Sequence, residues 1–141
     1  MQTFLPYRDF KESLSCLDNR RLGKQRVEAM QILNVLLGRA TSAAWRNHPA
    51  TRMWRGCEEA LKFYHNIALL EWTARGFRNN MMLEIVTDAM LEFPWWLGDE
   101  EFHASHRSNL LRKDPEFYGR YGWTEPDNLP YVWPMQRRAM K

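Results

Sequence analysis

The pattern that most constrains the fold is a helical repeat of apolar residues in the middle of the chain. The repeat lies between Pro49, which favours the first turn of a helix, and Gly76, which favours its end. Apolar side chains return there every three or four residues, at Met53, Cys57, Leu61, Tyr64, Ala68 and Trp72. A continuous helix over this range would be roughly 40 Å long. We therefore expect one helix that crosses the whole domain.

Two earlier segments have the same period. Asp9 is placed to cap a short helix that runs through Leu14, and Asp18 or Asn19 is placed to cap a second helix that Gly38 ends. The second helix has apolar residues at helical spacing: Leu22, Ala29, Ile32, Leu33 and Leu36. Residues 39–48 are predicted to form a loop.

Two later segments complete the expected fold. Residues 80–92 are predicted as a short helix that Phe93 and Pro94 end, and Asp99 to Lys113 as another, with acids in its first turn and bases in its last. From Glu116 onward the chain is rich in aromatic residues, Gly and Pro without a period, so we expect ordered coil around the core. No segment alternates as a strand does. The sequence predicts one all-α domain, residues 1–141, with four or five helices and an aromatic-rich, coil-like C-terminal segment.

Composition excludes several classes of protein. The chain of 141 residues suits one core, and no apolar run reaches the ~20 residues that a membrane span needs. The first residues lack the pattern of a signal peptide. Cys16 and Cys57 form no paired motif, which favours reduced thiols and a cytoplasmic location. No Gly-rich phosphate loop and no nucleophile elbow occurs.

Basic residues are clustered, although the net charge is only +3. They gather at positions 20–26, 46–55, 107–112 and 137–138, and cations that converge from several segments favour contact with the phosphates of DNA. The candidate nucleic-acid-binding residues are Arg20, Arg21, Lys24, Gln25, Arg26, His48, Arg52, Arg55, Arg107 and Arg112. Four tryptophans are candidates for stacking on a flipped-out nucleotide, although each also suits a core: Trp45, Trp54, Trp95 and Trp96.

Glu28 is the candidate acid/base residue. On a helix it shares a face with Arg21 and Lys24 on one side and with the apolar Ile32 on the other. It therefore lies where charged surface meets core, as at the edge of a cleft. The simpler interpretation is a surface ion pair between Lys24 and Glu28, worth a few tenths of a kcal/mol.

Two histidine features have competing interpretations. His48 precedes a helix N-terminus, where it could contact a phosphate or simply cap the helix. His103 and His106 are three residues apart, a spacing that can hold a metal, but no accompanying Cys or acid pattern supports zinc. We therefore predict no metal site.

Three stretches, taken in order, resemble a known family. They are "LDNRRLGKQRVEA", then His48 with "EWTARGF" at the end of its helix, then "HRSNLLRKDPEFYGRYGW". The chain resembles a divergent member of the pyrimidine-dimer DNA glycosylase family, the endonuclease V type of UV-repair enzyme. The resemblance implies a compact, mostly helical domain that cuts the glycosidic bond of a damaged or modified pyrimidine and then nicks the backbone by β-elimination.

The resemblance also implies catalytic roles for two residues. The family's nucleophile is the N-terminal α-amine, which forms a Schiff base with the sugar C1′, and its catalytic Glu corresponds to Glu28. An α-amine has an unperturbed pKa of about 8, so roughly a tenth is free base at neutral pH. Gln2 is too large for ordinary removal of the initiator methionine, which assigns the amine to Met1.

The expected enzyme is a monomer that binds DNA and needs no cofactor. The alternative is a non-catalytic protein that uses the same fold to hold a nucleotide or nucleic acid. A weaker alternative is a helical interaction module whose basic faces contact an acidic protein.

Overall fold

The computed structural model describes residues 1–42 and 44–134. Within these residues six α-helices follow one another: α1 (Phe10–Ser15), α2 (Asn19–Leu36), α3 (Pro49–Arg52), α4 (Glu58–Ala74), α5 (Glu100–Lys113) and α6 (Pro115–Tyr118). Short 3₁₀ turns occur at Asp88–Met90 and Gly119–Tyr121. The described residues contain no strand, so the all-α prediction is confirmed. Within them, no helix combines the length and the apolar character that crossing a membrane demands.

The ends of α1, α2 and α5 lie close to the predicted positions. The Asp9 carboxylate accepts a hydrogen bond from the N–H of Glu12 at 2.8 Å, and Asp99 accepts one from Glu101 at 3.1 Å. Gly38, with φ of 72°, follows the end of α2 as predicted. Asp18 occupies the N-cap position of α2, but its side chain makes no capping bond there.

The prediction of one 40 Å helix is wrong, because the helix is interrupted at Gly56. This residue has φ of 89°, a left-handed conformation that a helix interior does not admit and that glycine adopts without strain. The stretch therefore forms the short α3 and, after a turn, α4, which is about 25 Å long. The predicted apolar stripe persists within α4, where Leu61, Tyr64 and Ala68 are fully buried.

The expected helix over residues 80–92 is also wrong. Apart from the turn at Asp88–Met90, this segment is irregular. The side-chain amide of Asn66 on α4 binds both main-chain groups of Glu84, at 2.7 Å and 2.8 Å, and the Glu59 carboxylate accepts the N–H of Thr87 at 2.7 Å. Side chains of α4 thus take the main-chain groups that a helix would have used internally.

The core forms chiefly where α2 packs against α4. The buried side of α2 consists of Leu22, Gln25, Ala29, Ile32 and Leu33. Residues 115–121 are helical rather than the predicted coil, and the rest of the described tail is irregular. Residues 1–7 are also irregular, and residues 2–6 among them are buried.

Candidate active site

The first residues of the chain are held by side chains rather than by secondary structure. The N–H of Phe4 donates to Gln25 Oε1 at 2.8 Å, and the hydroxyl of Tyr64 lies 2.8 Å from both that oxygen and the Phe4 carbonyl. Thr3 Oγ1 accepts the indole N–H of Trp54 at 3.0 Å. Because Tyr64 and Trp54 are themselves fully buried, these bonds fix the path of the segment through the core.

Two histidines of α5 hold the next residue from both sides. The N–H of Leu5 donates to His106 Nδ1 at 2.8 Å, and the Leu5 carbonyl accepts from His103 Nδ1 at 2.7 Å. Burial lowers the pKa of His106 to about 3, with a smaller contribution from His103, and burial likewise lowers the pKa of His103. Both rings are therefore neutral at neutral pH, and their Nδ1 atoms hold the main chain of Leu5.

The segment delivers the Met1 amine to Glu28. The amine nitrogen lies 3.8 Å from Glu28 Oε1, and the N–H of Gln2 donates to the same oxygen at 3.0 Å. The Met1 side chain is 2% exposed and that of Glu28 is 18% exposed. Glu28 belongs to α2 and precedes Ala29, whose side chain is fully buried. The carboxylate thus lies at the border of core and surface and faces the start of the chain.

These two groups line a cavity of about 440 Å³, and four of the other nine lining residues are cations, which form its basic wall. α2 contributes Arg20, Arg21 and Lys24, and the last turn of α5 contributes Lys113. The full lining is Met1, Gln2, Phe4, Arg20, Arg21, Lys24, Gln25, Glu28, Lys113, Tyr131 and Trp133. Four cations around one carboxylate make this cavity attractive to an anionic ligand.

The electrostatics of the basic wall agree with its composition. Burial lowers the pKa of Lys113, and the charges of Arg21, Arg112 and Lys24 lower it further. Arg21 donates to the Asp18 carboxylate at 3.2 Å. Asp18 also accepts the hydroxyl hydrogen of Tyr118. Burial raises the pKa of Asp18, but these two bonds together with the charge and main chain of Arg21 lower it overall, so the carboxylate stays charged and holds Arg21 at the cavity.

In a comparison with known families, residues 1–85 match the model of the pyrimidine dimer DNA glycosylase family. The chain belongs to this family. The resemblance stated above is thereby confirmed. The matched residues contain the Met1 amine, Glu28 and the cations of α2, whereas Lys113, Tyr131 and Trp133 lie outside them. No curated protein and no solved structure gives a significant match.

Four of the predicted nucleic-acid-binding residues meet at the cavity of this family member: Arg20, Arg21, Lys24 and Gln25. Gln25 is 1% exposed, and its Oε1 is occupied by the main chain of Phe4. His48 is half-buried and caps α3, because its Nδ1 accepts the N–H of Ala50 at 3.0 Å. Burial, and to a smaller extent the positive charge of the N-terminal amine, lower the pKa of His48.

Arg26 and Arg107 make other contacts. Arg26 donates to Asn79 Oδ1 at 3.1 Å and lies 4.2 Å from the ring centroid of Trp72. Arg107 donates to Glu125 Oε2 and to the Pro6 carbonyl. Both guanidinium groups therefore hold parts of the fold together.

The remaining predicted arginines lie outside the cavity lining. Arg112 donates to the Asp127 carbonyl at 3.4 Å, although its charge lowers the pKa of Lys113. Arg55 donates to the Arg46 carbonyl at 3.2 Å, and Arg52 is exposed at the end of α3. The basic pair at 137–138 lies outside the described residues.

Of the two interpretations given for Trp54 and Trp96, the structure confirms the core position and contradicts the stacking role. Both are fully buried and pack edge to face with ring centroids 5.1 Å apart. The indole N–H of Trp96 donates to the Met53 carbonyl at 3.0 Å. Trp45 and Trp95 are 40% and 47% exposed, and neither lines the cavity.

Sequence reasoning missed five lining residues: Gln2, Phe4, Lys113, Tyr131 and Trp133. Lys113 follows a predicted arginine at the basic end of α5, so its charge pattern offered a signal. Tyr131 and Trp133 lie in a segment without periodicity, where no sequence signal indicates which aromatic side chains face a cavity. Within the described residues, no group of three or more His, Cys, Asp and Glu side chains is arranged to hold a metal ion.

Proposed function

We propose that this chain is a DNA glycosylase with associated β-elimination lyase activity, acting on damaged or modified pyrimidines through a Schiff base with the Met1 amine. The observation that carries the proposal is the amine 3.8 Å from Glu28 Oε1, within a cavity lined by Arg20, Arg21, Lys24 and Lys113. Membership of the pyrimidine dimer DNA glycosylase family supports damaged DNA as the substrate.

The amine and the carboxylate have complementary tasks in this reaction. Glu28 is placed to accept a proton from the amine, whose lone pair then attacks the sugar C1′. The C1′–base bond breaks with its electron pair on the base, which takes up the second proton that the attacking nitrogen loses. Opening of the C1′–O4′ bond gives the protonated Schiff base, and Glu28 returns its proton to O4′.

The same pair then cleaves the backbone. Glu28 removes a proton from C2′, the electrons pass toward the iminium nitrogen, and the C3′–O bond breaks with its electron pair on the departing phosphate. A carboxylate at the amine serves both stages, because each stage moves protons at atoms adjacent to C1′.

The basic wall supplies the binding energy for the charged backbone. Arg20, Arg21, Lys24 and Lys113 come from two helices and surround the cavity. Phosphate contacts of this kind do not depend on base sequence, and they weaken steeply as salt concentration rises.

Borohydride trapping on a duplex with one abasic site tests the proposal. We expect a covalent adduct with the unmodified chain and none after acetylation of its N-terminus. Glu28→Gln is expected to form the adduct at least ~100-fold more slowly. Glu12→Gln, which changes an exposed carboxyl on α1, is the matched control and should trap at the normal rate.

Salt-sensitive binding of the duplex without an adduct would contradict the lyase and support the alternative, a protein that holds nucleic acid or a nucleotide without catalysis. An adduct that survives N-terminal acetylation would assign the nucleophile to a different amine.

A further inference from the structure

Two uncharged glutamines line the cavity beside Glu28. Gln2 follows the residue that carries the amine, and its main-chain N–H donates to Glu28 Oε1 at 3.0 Å. Gln25 lies three residues before Glu28 on α2, so the two side chains are neighbours on one face of the helix. Gln2 is 7% exposed and Gln25 is 1% exposed. The reacting pair is therefore flanked by two buried side-chain amides as well as by cations.

A main-chain donor fixes the orientation of each amide. The N–H of Thr3 donates to Gln2 Oε1 at 2.9 Å, and the N–H of Phe4 donates to Gln25 Oε1 at 2.8 Å. Only the oxygen end of a side-chain amide can accept an N–H. The other end of each amide is therefore Nε2, which donates hydrogen bonds and accepts none.

The Nε2 atom of Gln2 is a buried donor. Among the residues that the structure describes, none supplies it with an acceptor. A buried donor without an acceptor opposes folding and is uncommon in natural proteins. Because Gln2 lines the cavity, this donor points to an acceptor that a ligand brings with it.

Building on the glycosylase function, we propose that the Gln2 and Gln25 amides donate hydrogen bonds to the carbonyl oxygen O2 of the departing pyrimidine. Every pyrimidine base of DNA carries this carbonyl next to N1, the nitrogen that is bonded to C1′. Purines have no carbonyl at the corresponding position. The two amides thus give the site a means of selecting pyrimidines that its cations, which bind any phosphate, do not provide.

The two amides also assist the breaking of the glycosidic bond. As the C1′–N1 bond breaks, its electron pair passes to N1 and spreads onto O2, where oriented donors stabilise the developing negative charge. In a cyclobutane dimer the C5–C6 bond is saturated, so the charge cannot spread from N1 to O4. The base then takes up the second proton that the attacking nitrogen loses.

The test compares single-turnover rates on two duplexes. One contains a cyclobutane pyrimidine dimer, on which cleavage of the glycosidic bond is measured as alkali-labile strand breaks. The other contains an abasic site, on which the borohydride-trapped adduct is measured and no base departs. Gln2→Met removes the amide but keeps the length and the lack of charge. It should lower the rate on the dimer duplex about 100-fold and lower the ratio of the dimer rate to the abasic rate at least tenfold.

Two further variants make the result specific. Gln25→Glu keeps an oxygen for the N–H of Phe4 but removes the donor, and it should also lower the rate ratio at least tenfold. Its added charge acts on both duplexes, so the ratio is the quantity to compare. This variant decides the question if Gln2→Met fails to fold, as judged by far-UV circular dichroism. Gln31→Met, at an exposed position of α2 outside the cavity lining, should leave the ratio unchanged.

A ratio that neither Gln2→Met nor Gln25→Glu lowers would overturn the inference. Equal losses on both duplexes would overturn it too, because they would assign the amides to the fold or to the amine. An unmodified chain that traps the abasic site but leaves the dimer intact would also overturn it, while the lyase would stand. An unmodified chain that acts on neither duplex would remove the proposed function and this inference with it.

Discussion

Two stretches of this chain lack regular secondary structure and yet differ in almost every other respect. In the N-terminal segment, residues 1–7, Leu5 is fully buried and Phe4 is 6% exposed. In the connector between α4 and α5, residues 78–93, Met82 and Ile85 are 86% and 85% exposed. Both stretches receive hydrogen bonds from helix side chains, but only the first is enclosed by them.

The difference shows what allows an irregular main chain to lie in a core. Buried N–H and C=O groups need partners, and the N-terminal segment obtains them from Gln25, Tyr64, His103 and His106 on three helices. The main-chain groups of the connector are bound by side chains of α4, on one side of the segment. A chain end that is held from three helices can present its amine at a fixed place, which the proposed reaction requires.

The largest effect is expected from removing the Gln25 amide. In Gln25→Leu the N–H of Phe4 remains buried but loses its hydrogen-bond acceptor. The Tyr64 hydroxyl loses one of the two oxygens to which it is hydrogen bonded. We expect the free energy of unfolding, measured with urea, to fall by about 3 kcal/mol. Gln31→Leu, at an exposed position of the same helix, is the control and should change it by less than about 0.5 kcal/mol.

A smaller effect is expected from acid, through the α5 histidines. In the folded protein the pKa of His106 is about 3, below the value of about 6.5 for an unfolded chain. Above pH 6.5 both states are neutral and His106 adds no pH dependence. Below that pH His106 binds a proton in the unfolded chain but stays neutral in the folded protein. The free energy of unfolding therefore decreases until the pH reaches about 3.

Between pH 6.5 and 5 this linkage amounts to about 2 kcal/mol for His106, and His103 and His65 shift in the same direction. His106→Gln retains an acceptor for the N–H of Leu5 but does not titrate. Urea unfolding at several pH values should therefore give a flatter profile for the variant. An equally steep profile would mean that other groups cause the acid sensitivity.

The smallest effect is expected in the connector. Ile85→Ser replaces a side chain that is 85% exposed, and the hydrogen bond from the Lys62 ammonium to the Ile85 carbonyl does not involve that side chain. The free energy of unfolding should change by less than about 0.5 kcal/mol. A loss above 1 kcal/mol would show that the connector is covered in solution, and the contrast between the two stretches would fail.

Local patterns predicted much of this fold. Asp9, Asp99 and Gly38 mark helix ends through bonds or backbone angles within a few residues, so sequence alone located them. The break at Gly56 was missed because the apolar repeat continues on both sides of it. The helix over 80–92 was wrongly predicted because side chains of α4, more than ten residues away along the chain, bind its main chain.

The site was predictable where residues lie in one helix and not where distant segments meet. Arg20, Arg21, Lys24 and Glu28 share a face of α2, so their spacing shows that they are neighbours. The closeness of Met1 to Glu28 came only from the family resemblance. Tyr131 and Trp133 reach the cavity through bonds to α5, a tertiary contact that no local pattern encodes.

The way in which α5 holds the last described residues has a consequence for engineering. Ser105, Ser108 and Asn109 bind carbonyl and amide groups that every sequence possesses. New side chains at positions 131 and 133 would thus be presented at the same place without any change to the helices. A library randomised at these two positions is the natural starting point for giving the protein a different ligand preference.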